Sequence, residues 1–549
     1  MLIAKYTANT SGVLPTFNNG YQYTINETES NGVYTVEISS DSDFTSCSFN
    51  GKTELLTVEY LKVTDKVTNL RSMFDNCSNL TQLDVSKWDT SSVTDTAVMF
   101  RNCTQLTQLD VSKWDTSSVK NVDCMFYNCS KLTQLDVSNF DTSNITNMGG
   151  MFFNCSSLTQ LDVSSFNTSK VTTMNNMFYS CKLLTQLDVS KWDTSSVKNM
   201  LNMFHSCSKL TQLDVSNFNT INVTNTSNMF ANCKSLTTLD VSNFDTSNVA
   251  DMSSMFYNCS SLTKLDVSSF NTSKVTTMNS MFRGCAKITQ LVLSNFDTSG
   301  VTSMDSLFRD CVKLTQLDLS SFNTSKITNM AFLFGYCTSL SQIDLRNFNT
   351  EKVTRMDNMF RNCGKLTGLD LSNFKTNVVS TMEYMFYECS SLTTLDVSNF
   401  NTIKVTKTAN MFTKVSKLQH VGMIYCDNNT VNTIANALPT VSGLTRTIYI
   451  QDTTSDIYTP RDSIVFYDYK DSRTIITLPQ QLNSGDMLVW NDSLRGYILK
   501  KADSRVIEID TDVKYVLDVV GPYYRIETDE KESAPASMTV KLYISKDVL

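Results

Sequence analysis

Two residue types that carry chemistry recur at one fixed spacing. Thirteen cysteines (Cys77, Cys103, Cys129, Cys155, Cys181, Cys207, Cys233, Cys259, Cys285, Cys311, Cys337, Cys363 and Cys389) each follow the last by 26 residues, without insertion or deletion. Stacked thiols could form disulfides where neighbours come within bridging distance, hold a metal, or act as small apolar groups. Thirteen is an odd number, and equivalent sulfurs in a straight row do not make a tetrahedral cage. Each cysteine also closes an apolar stripe, so a column of reduced, buried thiols is expected. Cys47, Cys124 and Cys426 fall outside the column.

Carboxylates form the second column. Asp84, Asp110, Asp136, Asp162, Asp188, Asp214, Asp240 and Asp266 keep the same spacing, Val292 interrupts, and Asp318, Asp344, Asp370 and Asp396 resume it. Carboxylates about 4.8 Å apart repel by roughly 1 kcal/mol in water, and by more near a low-dielectric surface. Hydrogen bonds from Ser86-type hydroxyls and Gln82-type amides, with some carboxyls partly protonated, would relieve that repulsion. A bound cation such as calcium, or a basic ligand, would relieve it as well. The face carrying these Gln, Asp and Ser columns is therefore the candidate ligand-binding face.

Other chemistry is sparse. Histidine occurs only at His205 and His420, and 46 basic against 54 acidic residues leave a net charge of −8. No basic stripe speaks for nucleic acid, and no apolar run is long enough to span a membrane. No Gly-rich phosphate loop or metal-ligand spacing is present, and repeated columns offer equivalent residues in place of a convergent catalytic site. A carboxylate-only glycan hydrolase is the one enzymatic route left open; the expectation is a protein that binds and does not catalyse.

The columns belong to a 26-residue unit, read from Leu132 as L-T-Q-L-D-V-S-N-F-D-T-S-N-I-T-N-M-x-x-M-F-x-x-C. Leu135 and Val137 alternate with Asp136 and Ser138, the period of a half-buried strand. Met148, Met151, Phe152 and Cys155 fall at i, i+3, i+4 and i+7, which predicts a short helix, capped by Ser143 or Thr146. The predicted architecture is an α/β solenoid with a parallel sheet on one face and short helices on the other. Two aromatic ladders should line its core, from Trp88 to Phe400 and from Phe74 to Phe412. The unbroken threonine column from Thr90 to Thr402 suits turns where the chain leaves the strand. Columns that vary, such as Lys87, Asn139 and Ser165, or Arg101, Tyr127, Phe153 and Tyr179, are where a binder would tune specificity.

The pattern L-D-V-S-x-F-D-T-S-x-V-T-x-M-x-x-M-F-x-x-C, over about residues 54–426, resembles the BspA-like leucine-rich-repeat family of bacterial surface proteins and some phage tail proteins. The resemblance implies a repeat fold and a binding role, and assigns no catalytic residue. Three domains are expected: a β-rich 1–53, a solenoid of about fourteen turns over 54–426, and a β-rich 427–549. In the first, Asn31-Gly32 before Val33–Ile38 predicts a hairpin; in the last, 430–438 predicts a closing helix and strand-like runs follow. The opening Met1-Leu2-Ile3-Ala4-Lys5-Tyr6 lacks a signal-like apolar stretch, which leads to the expectation of synthesis and folding in a cytosol. That opening, with Leu14–Asn18, and the segment Leu478–Trp490 leading into Arg495–Ile498 are similar to structural proteins of Firmicutes phages. This resemblance implies a virion tail protein that contacts other tail proteins through a terminal domain and a bacterial surface protein or glycan through the solenoid. A bacterial cell-surface adhesin or scaffold is the alternative.

Overall fold

The computed structural model describes residues 1–397, 400–401 and 404–418, and beyond them the backbone of strand segments. The chain divides into two compact units, Met1–Gly300 and Val301–Leu549. The first opens on an antiparallel sheet of β1 (Leu2–Ala8), β3 (Thr24–Ser30), β4 (Val33–Ser39) and β6 (Leu55–Leu61), beside a small pair of β2 (Thr16–Phe17) and β5 (Cys47–Ser48). The β3–β4 hairpin turns at Asn31 and Gly32, both at positive φ (53° and 76°), the backbone that a two-residue hairpin turn requires. On its other edge β6 pairs in parallel with β7 (Gln82–Leu83), joining the opening sheet to the first repeated strand. Tyr6 meets Phe49 edge to face at 5.0 Å, and Phe49 stacks on Phe74 at 5.5 Å, which starts the repeat's ring ladder.

Within each unit, successive turns pair in parallel. β8 (Gln108–Leu109) and β9 (Gln134–Leu135) continue the strand column. A second column of parallel bridges runs Asn69–Asp95–Asn121–Asn147 and on to Asp251–Thr277 in the first unit, and from Ser303 to Lys407 in the second. The strands are short because the chain bends at once: Phe140 N–H closes a four-residue turn on Val137 C=O at 3.0 Å.

The predicted helix is not formed; among the described residues none is helical. Within Met148–Cys155 the amides alternate between two kinds of partner. Met151, Phe153 and Cys155 donate to the carbonyl three residues back, whereas Gly150, Phe152 and Asn154 donate to Asn175, Met177 and Tyr179 of the next turn at 2.6–2.9 Å. Gly150 and Asn154 stand at positive φ, as do Ser72 and Asn76, Asn176 and Ser180, and the equivalent pairs throughout. A left-handed residue every fourth position stops a right-handed helix, and bonds to the next turn replace the i→i−4 ladder. The apolar period is nonetheless kept. Met148, Met151, Phe152 and Cys155 are fully buried, because two successive four-residue turns return side chains to the interior as a helix would.

Both ring ladders lie in the interior. Phe100, Phe126, Phe152, Phe178 and Phe204 stack at 5.7–5.8 Å, and the shorter Trp88–Trp114 and Phe166–Trp192 stacks lie beside them. Polar ladders run in register with the rings. Thr142, Thr168 and Thr194 hydroxyls donate to the carbonyls of Asn167, Asp193 and Asn219 at 2.8–3.0 Å, so this column ties each turn to the next. Asn102, Asn128 and Asn154 amides donate to Asn76, Asn102 and Asn128 at 2.6–2.9 Å.

In the second unit the parallel strands Thr394–Val397, His420–Met423 and Thr447–Tyr449 form one sheet. Antiparallel pairs follow, Ser463–Asp468 with Ser472–Thr477, Met487–Asn491 with Gly496–Lys500, and Tyr515–Val520 with Tyr523–Thr528. The helix expected over 430–438 lies outside the described residues.

Candidate functional site

Strand alternation turns Leu83, Leu109 and Leu135 inward and leaves Asp84, Asp110 and Asp136 exposed. Asp162, Asp188, Asp214, Asp240 and Asp266 hold the same place in the first unit, and Asp318, Asp344 and Asp370 in the second. Asp396 falls in the strand Thr394–Val397, and its side chain lies outside the described residues. Val292, which breaks the column, is exposed.

Each carboxylate serves its own turn. Oδ1 of Asp110, Asp136, Asp162, Asp188, Asp214 and Asp240 accepts both the N–H and the hydroxyl of the serine two residues on, at 2.6–3.1 Å. Such Asx turns end the strand where the chain must bend. The predicted serine bonds are present, and the predicted glutamine bonds are not: among the described residues the Gln82, Gln108 and Gln134 side chains make no hydrogen bond to these carboxylates.

The charge state also differs from expectation. The Ser hydroxyl and then the Ser N–H hold the carboxyls of Asp84, Asp110, Asp162, Asp188, Asp240 and Asp266 below their ordinary range. At Asp318 the order is reversed, with the Ser320 N–H first. Repulsion from the neighbouring carboxylate acts against this on Asp84, Asp162, Asp240 and Asp318 as the smallest or nearly the smallest influence. At these seven positions two local hydrogen bonds outweigh a Coulomb repulsion that water screens, which favours the ionised carboxylate. Asp344, bonded by the Arg346 guanidinium, is lowered to about 2.

Because these folded-state values lie below the unfolded value near 3.8, the bonds stabilise the fold fully above that pH. Stability should then fall as pH drops below about 4 through the folded-state values. Thermal melts between pH 7 and pH 2 test this; a midpoint flat across pH 4 to 2.5 would contradict it.

Between two neighbouring turns, Gln160, Leu161, Asp162, Thr185, Gln186, Leu187 and Asp188 line a shallow depression of about 450 Å³. Its rim carries amides, a hydroxyl and two carboxylates, a surface suited to hydrogen-bonding a polar ligand. Among the described residues no group of three or more His, Cys, Asp or Glu is placed to hold a metal ion.

The cysteine column lies in the interior. Each thiol from Cys103 to Cys259 donates to the carbonyl of a phenylalanine 29 residues earlier at 3.1–3.2 Å. Burial pushes these thiols up, to about 12 at Cys129, Cys207 and Cys259. Of the variable columns, Tyr127, Phe153, Tyr179 and His205 stack nearly parallel at 4.1–4.4 Å and remain half-buried. The left-handed columns were not read from the sequence, although the Asn that precedes seven of the thirteen column cysteines is a signal for one of them, since Asn tolerates that backbone.

Among the described residues no helix is long and apolar enough to cross a membrane. No curated protein matches the chain. Residues 45–161, 150–265, 251–343 and 341–438 each match one family, in four tandem copies that cover more than half of the chain. The chain thus belongs to the repeat family described as "Mycoplasma protein of unknown function, DUF285".

Proposed function

We propose that this chain is a non-catalytic binding protein. Its tandem turns form a leucine-rich-repeat solenoid that presents the Gln–Asp–Ser face to a protein or glycan on a bacterial surface. The observation that carries the reading is the exposed aspartate row, oriented by its own Asx turns and uncovered by any other part of the described chain. Pre-oriented polar groups on a stacked scaffold lose little entropy on binding. The face offers no nucleophile–base pair. Two carriers fit this role. A phage tail is supported by the resemblance of the two ends, with a terminal domain contacting other tail proteins. A cellular surface is supported by a family described from Mycoplasma.

The test is binding of the full chain to intact Gram-positive cells and purified wall glycans, with and without calcium. Asp162→Asn with Asp188→Asn should weaken saturable binding by about tenfold or more, the scale of one lost charge-assisted contact. Calcium dependence would make the row a cation-bridged site. Unchanged binding by the double variant would remove this face from the function. Antibody labelling of virions against cell surfaces separates the two carriers.

A further inference from the structure

Two positions of every turn stand at positive φ, and most are filled by Asn, Ser or Gly. In the second unit three are filled by bulky rings instead: Phe332 (φ 54°), Tyr336 (φ 64°) and Tyr384 (φ 56°). Aromatic side chains are disfavoured on this backbone, and strain of this kind gathers where a site is built. The rings meet cations. Arg309 lies 4.1 Å from the Phe332 ring centroid and 5.6 Å from Tyr336. Arg361 lies 5.4, 4.8 and 5.0 Å from Tyr336, Tyr384 and Tyr387. All of these side chains are half-buried.

Arg309 has a carboxylate beside it, Asp310 at 3.4 Å. Arg361 has none: among the described residues its guanidinium makes one hydrogen bond, Nη1 to Asn358 Oδ1 at 3.1 Å, and no ion pair. Its Nε is buried without a hydrogen-bond partner, so with Nη1 on Asn358 the terminal Nη groups are the donors left for an oxyanion. The hydroxyls of Tyr336 and Tyr384 likewise make no hydrogen bond within the described residues, which suits a ligand rich in hydroxyl groups. We infer that the Arg361–Tyr336–Tyr384 cluster binds an acidic glycan, with the sugar's carboxylate or phosphate on the Arg361 Nη groups and its hydroxyls on the tyrosines. The cluster lies on the left-handed turns, not on the aspartate strands, so it stands independently of the reading above.

Titration of the full chain with polygalacturonate, phosphomannan, neutral mannan and polyglutamate tests the assignment, with Arg361→Gln and Tyr336→Asn as variants. Saturable binding to one or both acidic glycans is expected, with neither mannan nor polyglutamate matching it; preference between the two names the oxyanion. Each variant should weaken binding by about tenfold or more. Tyr336→Asn restores a residue suited to positive φ, so its melting temperature should equal or exceed that of the parent while its affinity falls. A purely structural role predicts lower stability and no affinity change. The inference is overturned if the parent binds neither acidic glycan, if both variants bind as the parent does, or if neutral mannan or polyglutamate binds equally well.

Discussion

Phe204→Ala should lower stability by about 3–5 kcal/mol. Phe204 is fully buried, with rings stacked on both faces, Phe178 and Phe230, each at 5.7 Å. Its carbonyl accepts the Cys233 thiol, and its N–H reaches Met229 of the next turn at 2.9 Å. Truncation removes the ring's transfer energy and leaves a cavity between two turns that their hydrogen bonds keep from closing. Because stability in stacked repeats is a sum over neighbours, the loss should be local. Hydrogen exchange should quicken around residues 178–230 and change little near the opening sheet. Urea denaturation and exchange mass spectrometry check both points. A loss under about 1 kcal/mol, or exchange raised evenly along the chain, would contradict the close-packed ladder.

The second expectation is nearly all-or-none. In a Cys426→Ser variant at pH 8, the folded chain should show at most one thiol that reacts quickly with an aromatic disulfide reagent, Cys124, which is half-buried. The thirteen column thiols and Cys47 are buried, and the attacking species is the thiolate. At Cys207, burial raises the thiol from an ordinary 9.0 to about 12, which lowers its thiolate fraction about a thousandfold before access is considered. Cys124 is also pushed up to about 12, first by burial and then by the Asp123 carboxylate, so even this thiol should react sluggishly. Denaturant should expose all of the thiols together. Several rapid equivalents from the folded chain would place the column at the surface.

Much of the turn's interior is legible in the residue pattern. Leu135 and Val137 are buried and Asp136 is exposed, as alternation predicts, and Met148, Met151, Phe152 and Cys155 share one buried side. The hairpin at Asn31-Gly32 is equally plain, because few residues accept positive φ twice in succession. The aspartates were rightly placed outside, but their charge state was not legible. It depends on whether the serine two residues on curls back to Oδ1, which the backbone bend decides. The same holds for the threonines. Their hydroxyls were expected to serve a local turn, and they reach the next turn's carbonyl 25 residues away.

The sequence by itself determined the period, the residues that face inward, and the need of each turn for a neighbour to cover its apolar side. Only the tertiary structure decided what the M-x-x-M-F-x-x-C segment becomes. An apolar spacing of i, i+3, i+4 and i+7 suits a helix and a pair of four-residue turns alike, since both bring those positions to one side. What separates them is the partner of the backbone N–H. In isolation the nearest acceptor lies one helical turn back. Beside a second copy of itself the segment finds the next turn's carbonyls in register, at 2.6–2.9 Å from Gly150, Phe152 and Asn154. The left-handed Asn, Ser and Gly positions let it take them, and no single repeat holds that information.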